Sequence, residues 1–223
     1  MQSYKNLVLI GTSHIAKESI DTARAEIQKI RPSIVALELD KNRLHGLITK
    51  EKGNITLKHA RQIGLKGYLF AKIGHFVEIK LGKMVGVSPG EDMLAGYETG
   101  KAINAKVALI DQDIQVTLKK FSKEITWKEK FRLVMDIIKA PFSKKKIQID
   151  LSRVPDKKLI KQMLEQTKER YPNFYKVIVE DRNKYMAKKL FILMKNYEKV
   201  LALIGAGHEE EIIKYIKELE KSN

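Results

Sequence analysis

Short apolar runs alternate with longer amphipathic segments along most of this chain. Four short runs are mostly apolar, over residues 6–10, 33–39, 106–111 and 200–205, and their polar residues stand at or near the ends. Short apolar runs of this length are typical of strands that are covered on both faces of a sheet. The pattern therefore predicts four buried strands.

The segments between these runs have the spacing of helices. Residues 15–30 carry apolar side chains at helical intervals, and Arg31-Pro32 ends the pattern. Acidic residues after Ser88-Pro89 predict the start of another helix that continues to about residue 104. Further helices are predicted from about residue 41, over much of 55–85, across most of 113–195 with breaks at Pro141, Pro155 and Pro172, and over 209–220.

Strands that alternate with helices predict an α/β fold. We expect a mostly parallel or mixed central sheet with helices on both faces and a helical insertion. With 223 residues, of which 43% are hydrophobic, the chain can form one substantial core. We predict a single domain over residues 1–223, with a basic helical insertion at about residues 119–198.

The positive charge is concentrated in that insertion. The chain has a formal net charge of +16, and residues 119–200 carry 23 basic and 10 acidic side chains, against 17 and 12 in residues 1–118. Charge of this kind concerns partners rather than fold. Nucleic-acid binding is disfavoured, because no recognisable nucleic-acid-binding motif accompanies the charge.

One segment of the insertion has a basic amphipathic pattern. Trp127, Phe131, Val134 and Ile138 form a single apolar stripe on a helix, and lysines flank it. Such a helix can lie on an anionic membrane surface, or its stripe can pack on the domain's own core or on a second subunit. The sequence leaves open both a homodimer and a membrane-surface contact. Our hypothesis is that the helix covers the active-site edge of the sheet or forms a dimer contact.

Several classes of site are excluded by composition and motif. The chain has no cysteine, which excludes disulfides, thiolate metal sites and a cysteine nucleophile. It has no phosphate-binding loop, no dinucleotide fingerprint and no Gly-x-Ser-x-Gly elbow. No signal-peptide pattern and no apolar window of about 18 residues is present, so we expect a cytoplasmic location for the chain as it stands, and membrane association if the full-length protein continues.

One phrase is written twice, near the two ends of the chain. Gly11-Thr-Ser-His14 follows the first strand and Gly205-Ala-Gly-His208 follows the last. The second and third strands are followed by Glu38 and by Asp111, and the carboxyl ends of parallel strands meet at one edge of a sheet. The sequence therefore predicts that two histidines and several carboxylates converge there. The alternative is that each phrase is only turn chemistry, with its histidine flanking a helix.

Imidazole and carboxylate together suit a transition metal. Three protein ligands and one open position make a hydrolytic site in which a metal ion activates water. His14 and His208 are the candidate ligands from the repeated phrase, with Glu38 nearby. The expected cofactor is a divalent metal ion, with Mn, Co and Zn as the candidates.

Five stretches in the right order resemble the TraB/PrgY family. They are "GTSHIAKES", "PSIVALELDKNR", "PGEDMLAGYETGKAINAKVALIDQDIQVTL", "VEDRNKYMA" and "ALIGAGH". That family is similar to the Tiki metalloproteases and, more distantly, to erythromycin-esterase-like proteins. The resemblance implies an α/β fold, a metal-dependent hydrolytic site at the two Gly-x-x-His motifs and, for PrgY-like members, a role in blocking or degrading a peptide pheromone.

Carried over by position, the resemblance also implies the other site residues. Glu38 and Glu91 are candidates for the general base, and Arg43 and Arg182 for holding a carboxylate or an oxyanion. From spacing alone, the charged triplet around Arg182 also suits a solvated helix face. One departure is Gln112, where the family commonly has an arginine. The implied catalytic set is Glu38, Arg43, Glu91, Asp111, Glu180 and Arg182.

The sequence thus predicts a metal-dependent hydrolase, with a peptidase as its expected form. Its substrate would be a peptide or a small amide or ester. Two alternatives remain open: a non-catalytic protein of the same fold that binds or sequesters a peptide, and a membrane-surface or scaffold role led by the basic segment.

Overall fold

A five-stranded sheet forms the centre of the described structure. The computed structural model describes residues 1–13, 17–49, 90–139 and 156–222. Its sheet has the order β1-β2-β5-β3-β4, in which β1 is antiparallel to β2 and the other neighbours are parallel. The strands are β1 (Gln2–Tyr4), β2 (Leu7–Thr12), β3 (Ile34–Leu37), β4 (Lys106–Leu109) and β5 (Val200–Gly205).

Helices cover both faces of this sheet. Within the described residues they follow the strands in the alternation that the sequence predicts. They are α1 (Lys17–Ile30), α2 (Lys41–Thr49), α3 (Glu91–Ala102), α4 (Ile114–Glu124), α5 (Trp127–Lys139), α6 (Lys157–Arg170), α7 (Pro172–Tyr175), α8 (Asp181–Asn196) and α9 (Glu209–Lys221), with a π-helical turn at Lys176–Glu180. None of these helices is both long enough and apolar enough to cross a membrane.

The predicted α/β fold with a mixed sheet is confirmed. All four predicted strands are present, each within one or two residues of its expected limits. Sequence reasoning missed β1, because a three-residue strand is too short to show a period. The helix expected over residues 55–85 and the helix start at Ser88-Pro89 lie outside the described residues.

Alternate residues of the central strands supply two separate cores. On β5, Val200, Ala202 and Ile204 face α8 and α9, while Leu201 and Leu203 face α1 and α3. All five are fully buried. Because a strand directs successive side chains to opposite faces, a strand buried on both sides must be apolar throughout. This requirement explains the unbroken "VLALI" sequence.

The helix that carries Arg182 contains a π-helical turn. The predicted helix over about residues 173–196 is present as α7, the π turn and α8 without a break. Val177 and Val179 of the π turn are buried, and Val177 packs with Phe121 and Ile125. Met186 and Leu190 of α8 pack on the sheet, so this part of the predicted insertion contributes to the central core.

Glu129 anchors α5 to the start of this helix. It is only 5% exposed and accepts hydrogen bonds from the backbone N–H of Asn173 at 2.8 Å and from the Asn173 side chain at 3.0 Å. It also forms a capping box with Thr126, whose hydroxyl and backbone N–H donate at 3.0 and 3.1 Å. Burial raises the pKa of Glu129, but the Asn173 and Thr126 donors outweigh it and leave the pKa below its usual value.

We predict that Glu129→Gln destabilises the protein at neutral pH but not in acid. The loss should be about 1–3 kcal/mol in the free energy of unfolding, because charge-assisted hydrogen bonds to a buried carboxylate are replaced by weaker ones. Since the folded-state pKa is lowered, this stabilisation is present above the unfolded-state pKa of about 4.3 and is lost as the pH falls through the folded-state pKa. Urea unfolding at several pH values should show that the difference in unfolding free energy between Glu129→Gln and wild type becomes smaller as the pH falls.

Glu98→Gln is the matched control, because Glu98 is exposed on α3. It should change stability by less than about 0.5 kcal/mol at any pH. A Glu129→Gln penalty that is the same at pH 3 and pH 7 would contradict the assignment.

Candidate functional site

Three strands deliver polar side chains to one edge of the sheet. Glu38 follows β3, Asp111 follows β4 by two residues, and His208 lies three residues beyond β5. Because these strands are parallel, their carboxyl ends lie together, and Arg182 reaches the same edge from the start of α8. The predicted convergence of a histidine and carboxylates at this edge is present for the described residues.

Glu38 is the most buried charged group of this cluster. It is 2% exposed, and its Oε1 accepts a hydrogen bond from Arg182 Nη2 at 2.5 Å. Its Oε2 accepts a second bond from the backbone N–H of Gly205 at 2.6 Å. The neighbouring positions of β3 and β5 in the sheet bring this N–H to the carboxylate. Glu38 therefore links β5 to α8.

Asp111 accepts hydrogen bonds from the same guanidinium group. Arg182 Nε donates to Asp111 Oδ1 at 3.0 Å and Arg182 Nη2 donates to Oδ2 at 2.8 Å, a bidentate pair. Arg43, from the first turns of α2, adds a longer bond to Oδ2 at 3.3 Å. Gln112, the departure from the family pattern, donates to Thr117 Oγ1 at 2.9 Å.

The two carboxylates hold Arg182 charged although it is buried. Burial by itself lowers the pKa of Arg182, but the charges of Glu38 and Asp111 and their hydrogen bonds more than compensate, so the pKa is raised above its usual value. The Arg182 side chain is 14% exposed. A buried cation with these bonds holds its two partners in position.

His208 is held in one orientation by a second side chain of α8. Its Nδ1 lies 2.5 Å from Asn183 Oδ1, and its Nε2 lies 3.5 Å from Glu38 Oε1. With the amide oxygen of Asn183 facing it, Nδ1 is the nitrogen that donates, and Nε2 faces the Glu38 carboxylate. Sequence reasoning did not identify Asn183, which follows Arg182 and is 1% exposed.

A further carboxylate, Glu209, lies beneath the first Gly-x-x-His motif. It is 3% exposed, and its Oε2 forms an ion pair with Lys157 at 3.1 Å. A Cβ at Gly11 would come within 2.6 Å of Glu209 Oε1. Gly11 is therefore needed for close approach, because any side chain there would displace a buried carboxylate.

The structure unites some of the predicted residues and separates others. Glu38, Arg43, Asp111, Arg182 and His208 form one connected cluster, whereas His14 lies outside the described residues. Glu180 pairs instead with Lys184 at 2.6 Å on the same helix. Glu91 is the first residue of α3, and no contact between it and the cluster is found within the described part of the chain.

The donor atoms fit a divalent cation in part. In a tetrahedral site with bonds of about 2.1 Å, two ligand atoms are about 3.4 Å apart, close to the 3.5 Å between His208 Nε2 and Glu38 Oε1. The bond from Nδ1 to Asn183 is the kind of support that metal-binding histidines have. Among the described residues no group of three metal-ligating side chains is found, and the third predicted ligand, His14, is not among them.

Comparison with known proteins gives a consistent family assignment. The model of the TraB/PrgY/gumN family matches residues 3–223. The chain is 33% identical to an uncharacterized protein of Methanocaldococcus jannaschii over 221 residues, which is 98% of this chain and 55% of that protein. It is 25% identical over 191 residues to human and mouse proteins named TraB domain-containing protein, covering 80% of this chain and 50% of each of them. The chain thus spans about half the length of these relatives.

We predict that Arg182→Met destabilises the fold by about 3–5 kcal/mol. The substitution keeps an unbranched apolar side chain but leaves Glu38 and Asp111 as buried charges without their main partner. Adding Glu38→Gln and Asp111→Asn to this variant should restore most of the stability, because these three positions are then neutral. Equilibrium unfolding in urea measures each step.

Lys184→Met is the matched control on the same helix. Its ion pair with Glu180 is largely exposed, so we expect a loss of about 0.5 kcal/mol. If Arg182→Met cost no more than this control, the buried network would not stabilise the fold.

We also predict that His208 is the Nδ1–H tautomer when neutral. Nitrogen-15 NMR of the imidazole ring distinguishes the two tautomers directly. In Asn183→Leu the acceptor for the Nδ1 proton is lost, so the ring should become a mixture of tautomers while the exposed His45 keeps its wild-type spectrum. A ring protonated only on Nε2 in the wild-type protein would refute this orientation.

Proposed function

We propose that this chain, which belongs to the TraB/PrgY/gumN family, carries a metal-dependent hydrolytic site that acts on peptides. The observation that supports this most directly is the pairing of His208 Nε2 with Glu38 Oε1 at the carboxyl edge of the sheet. Both side chains are held by other residues, so they are positioned in advance for a cation. The family match covers the strands and helices that supply them.

In this proposal His208, Glu38 and His14 hold the ion. A divalent metal supplies a nucleophilic water near neutral pH and polarises the carbonyl that it attacks. His14 is included because of its sequence motif: β2 and β5 are adjacent parallel strands, and a Gly-x-x-His sequence begins at the carboxyl end of each. Asn183 fixes the tautomer of His208, and Gly205 N–H and Arg182 fix the carboxylate of Glu38.

The two arginines of the cluster have different roles in this proposal. Arg43 is about one-third exposed, and the side-chain bond it makes within the described residues is a long one to Asp111, so the proposal directs its other donors at a ligand. The three guanidinium nitrogens of Arg182 are bonded to Glu38, Asp111 and the carbonyl of Ile178, so Arg182 acts as a positioning residue. We therefore assign substrate carboxylate or oxyanion binding to Arg43, and support of the site to Arg182.

A second candidate function is peptide binding without catalysis. The observation that favours it is the balance of charge within the cluster: the two carboxylates, Glu38 and Asp111, are matched by Arg43 and Arg182. A site that is neutral and hydrogen-bonded by itself has less need of a cation. The two functions differ in whether metal binding and turnover depend on His208.

We predict that the purified protein binds Mn²⁺, Co²⁺ or Zn²⁺ at one site and that His208→Ala abolishes this binding. Calorimetric titration measures the affinity, and the electronic spectrum of the Co²⁺ form reports the ligand geometry. His14→Ala should abolish binding in the same way, since three ligands become two. His45→Ala, which removes an exposed histidine on α2, should bind as the wild-type protein does.

Catalysis is then tested with the metal-loaded protein and a mixed peptide library, with the products identified by mass spectrometry. Turnover that is lost in His208→Ala and retained in His45→Ala supports the hydrolase. Retention of intact peptides by both wild type and His208→Ala, with neither metal binding nor cleavage, would establish the sequestering function instead.

A further inference from the structure

Helix α5 is oriented with its apolar face toward solvent. Trp127 is 68% exposed, Phe131 69% and Val134 46%, and these three residues lie at i, i+4 and i+7. The fourth residue of the predicted stripe, Ile138, lies outside the described side chains. The helix itself is confirmed, and Trp127 and Phe131 are mostly exposed rather than buried in the domain's core.

The opposite face of α5 is the one that holds it to the domain. Glu129 is buried against Asn173 and Thr126, as described above. Seven residues on, Asp136 accepts two hydrogen bonds from Arg170, at 2.6 and 2.7 Å, and a very short one from the Tyr171 hydroxyl. Glu129 is therefore buried while Asp136 makes its bonds at the surface, and these polar bonds toward both ends of α5 fix the rotation of the helix.

What remains on the outer face is apolar or positive. Lys128 and Lys139 are exposed, whereas the Lys130 ammonium donates to the Ser122 carbonyl at 2.9 Å and lies 5.8 Å from the centroid of the Trp127 ring. Helical geometry places Lys128 and Lys130 on either side of Trp127. An exposed aromatic stripe between lysines is uncommon on a soluble surface, where large apolar patches mark interaction sites.

We propose that this outer face of α5, defined by Trp127, Phe131 and Val134 with Lys128, Lys130 and Lys139, docks on an anionic lipid surface. An interfacial helix buries an aromatic-rich face among the lipid chains while lysines at its margins meet negative headgroups. A second copy of the chain would bring two faces of the same positive sign together, in a protein of net charge +16. The charge therefore favours a lipid surface over self-association.

The proposal is independent of the hydrolytic function, because no residue of this face belongs to the strand-edge cluster. It requires only that α5 remain fixed with its stripe outward. Docking would place the domain at a membrane surface.

The test uses the whole chain and two kinds of vesicle: phosphatidylcholine alone, and phosphatidylcholine mixed equally with phosphatidylserine. Trp127 is the only tryptophan, so its fluorescence reports this face directly. We expect co-sedimentation and a blue shift of emission with the mixed vesicles only, both weakened by added salt because screening shortens the reach of the lysines to about 10 Å at 0.1 M.

The double variant Trp127→Ser with Phe131→Ser should lower vesicle affinity at least about tenfold, as two interfacial aromatic side chains are lost. Its thermal midpoint should match that of wild type, because both side chains are exposed. The matched control is Val116→Ser with Ile192→Ser, which removes two exposed apolar side chains from α4 and α8 and should leave vesicle binding intact.

Three outcomes would overturn the proposal. One is no binding to the mixed vesicles, and another is binding that the aromatic double variant does not change. The third is a dimer in sedimentation analysis that the double variant dissociates in the absence of lipid, which would assign the face to a second copy of the chain.

Discussion

The paired ion bonds from Arg182 to Glu38 and Asp111 are the interaction on which the site depends. They join the ends of β3 and β4 to α8, and the bond from Glu38 to Gly205 N–H adds β5. Such a set is costly to bury and stabilises little beyond a well-packed apolar substitute. Its contribution is positional, because three strands and one helix can meet at this edge in only one register.

The π-helical turn is connected to that arrangement. It directly precedes α8, and the carbonyl of Ile178 within it accepts a hydrogen bond from Arg182 Nη1 at 3.2 Å. Because a π turn changes the rotation of the residues that follow it, it bears on how Arg182 and Asn183 face the sheet. The buried Asn183 amide nitrogen has no hydrogen-bond partner among the described residues, so a buried donor without a described acceptor lies beside His208.

On the surface, too, polar bonds fix the position of an element, here the rotation of α5 with its apolar stripe outward. Polar bonds through Glu129 and Asp136 are directional, whereas an apolar stripe can pack against any apolar surface. In α5 the polar bonds set the rotation of the helix, and the apolar residues therefore face solvent. The basic composition of the region surrounds that side with lysines, so the surface and the strand edge are two separate features of one domain.

The sequence by itself determined the order of strands and helices, because burial on both faces requires continuous apolar strands and helices require their own period. It also predicted that Glu38, Asp111 and His208 would lie together, from their places after strands, and it singled out Arg182 through the family resemblance. Only the tertiary structure decided the rest. Contacts between elements bring Asn183 against His208 and Glu209 against Gly11. Glu180 forms an ion pair with Lys184, and α5 has its apolar face toward solvent. None of these follows from periodicity, because periodicity gives the two faces of an element but not which of them meets a neighbour.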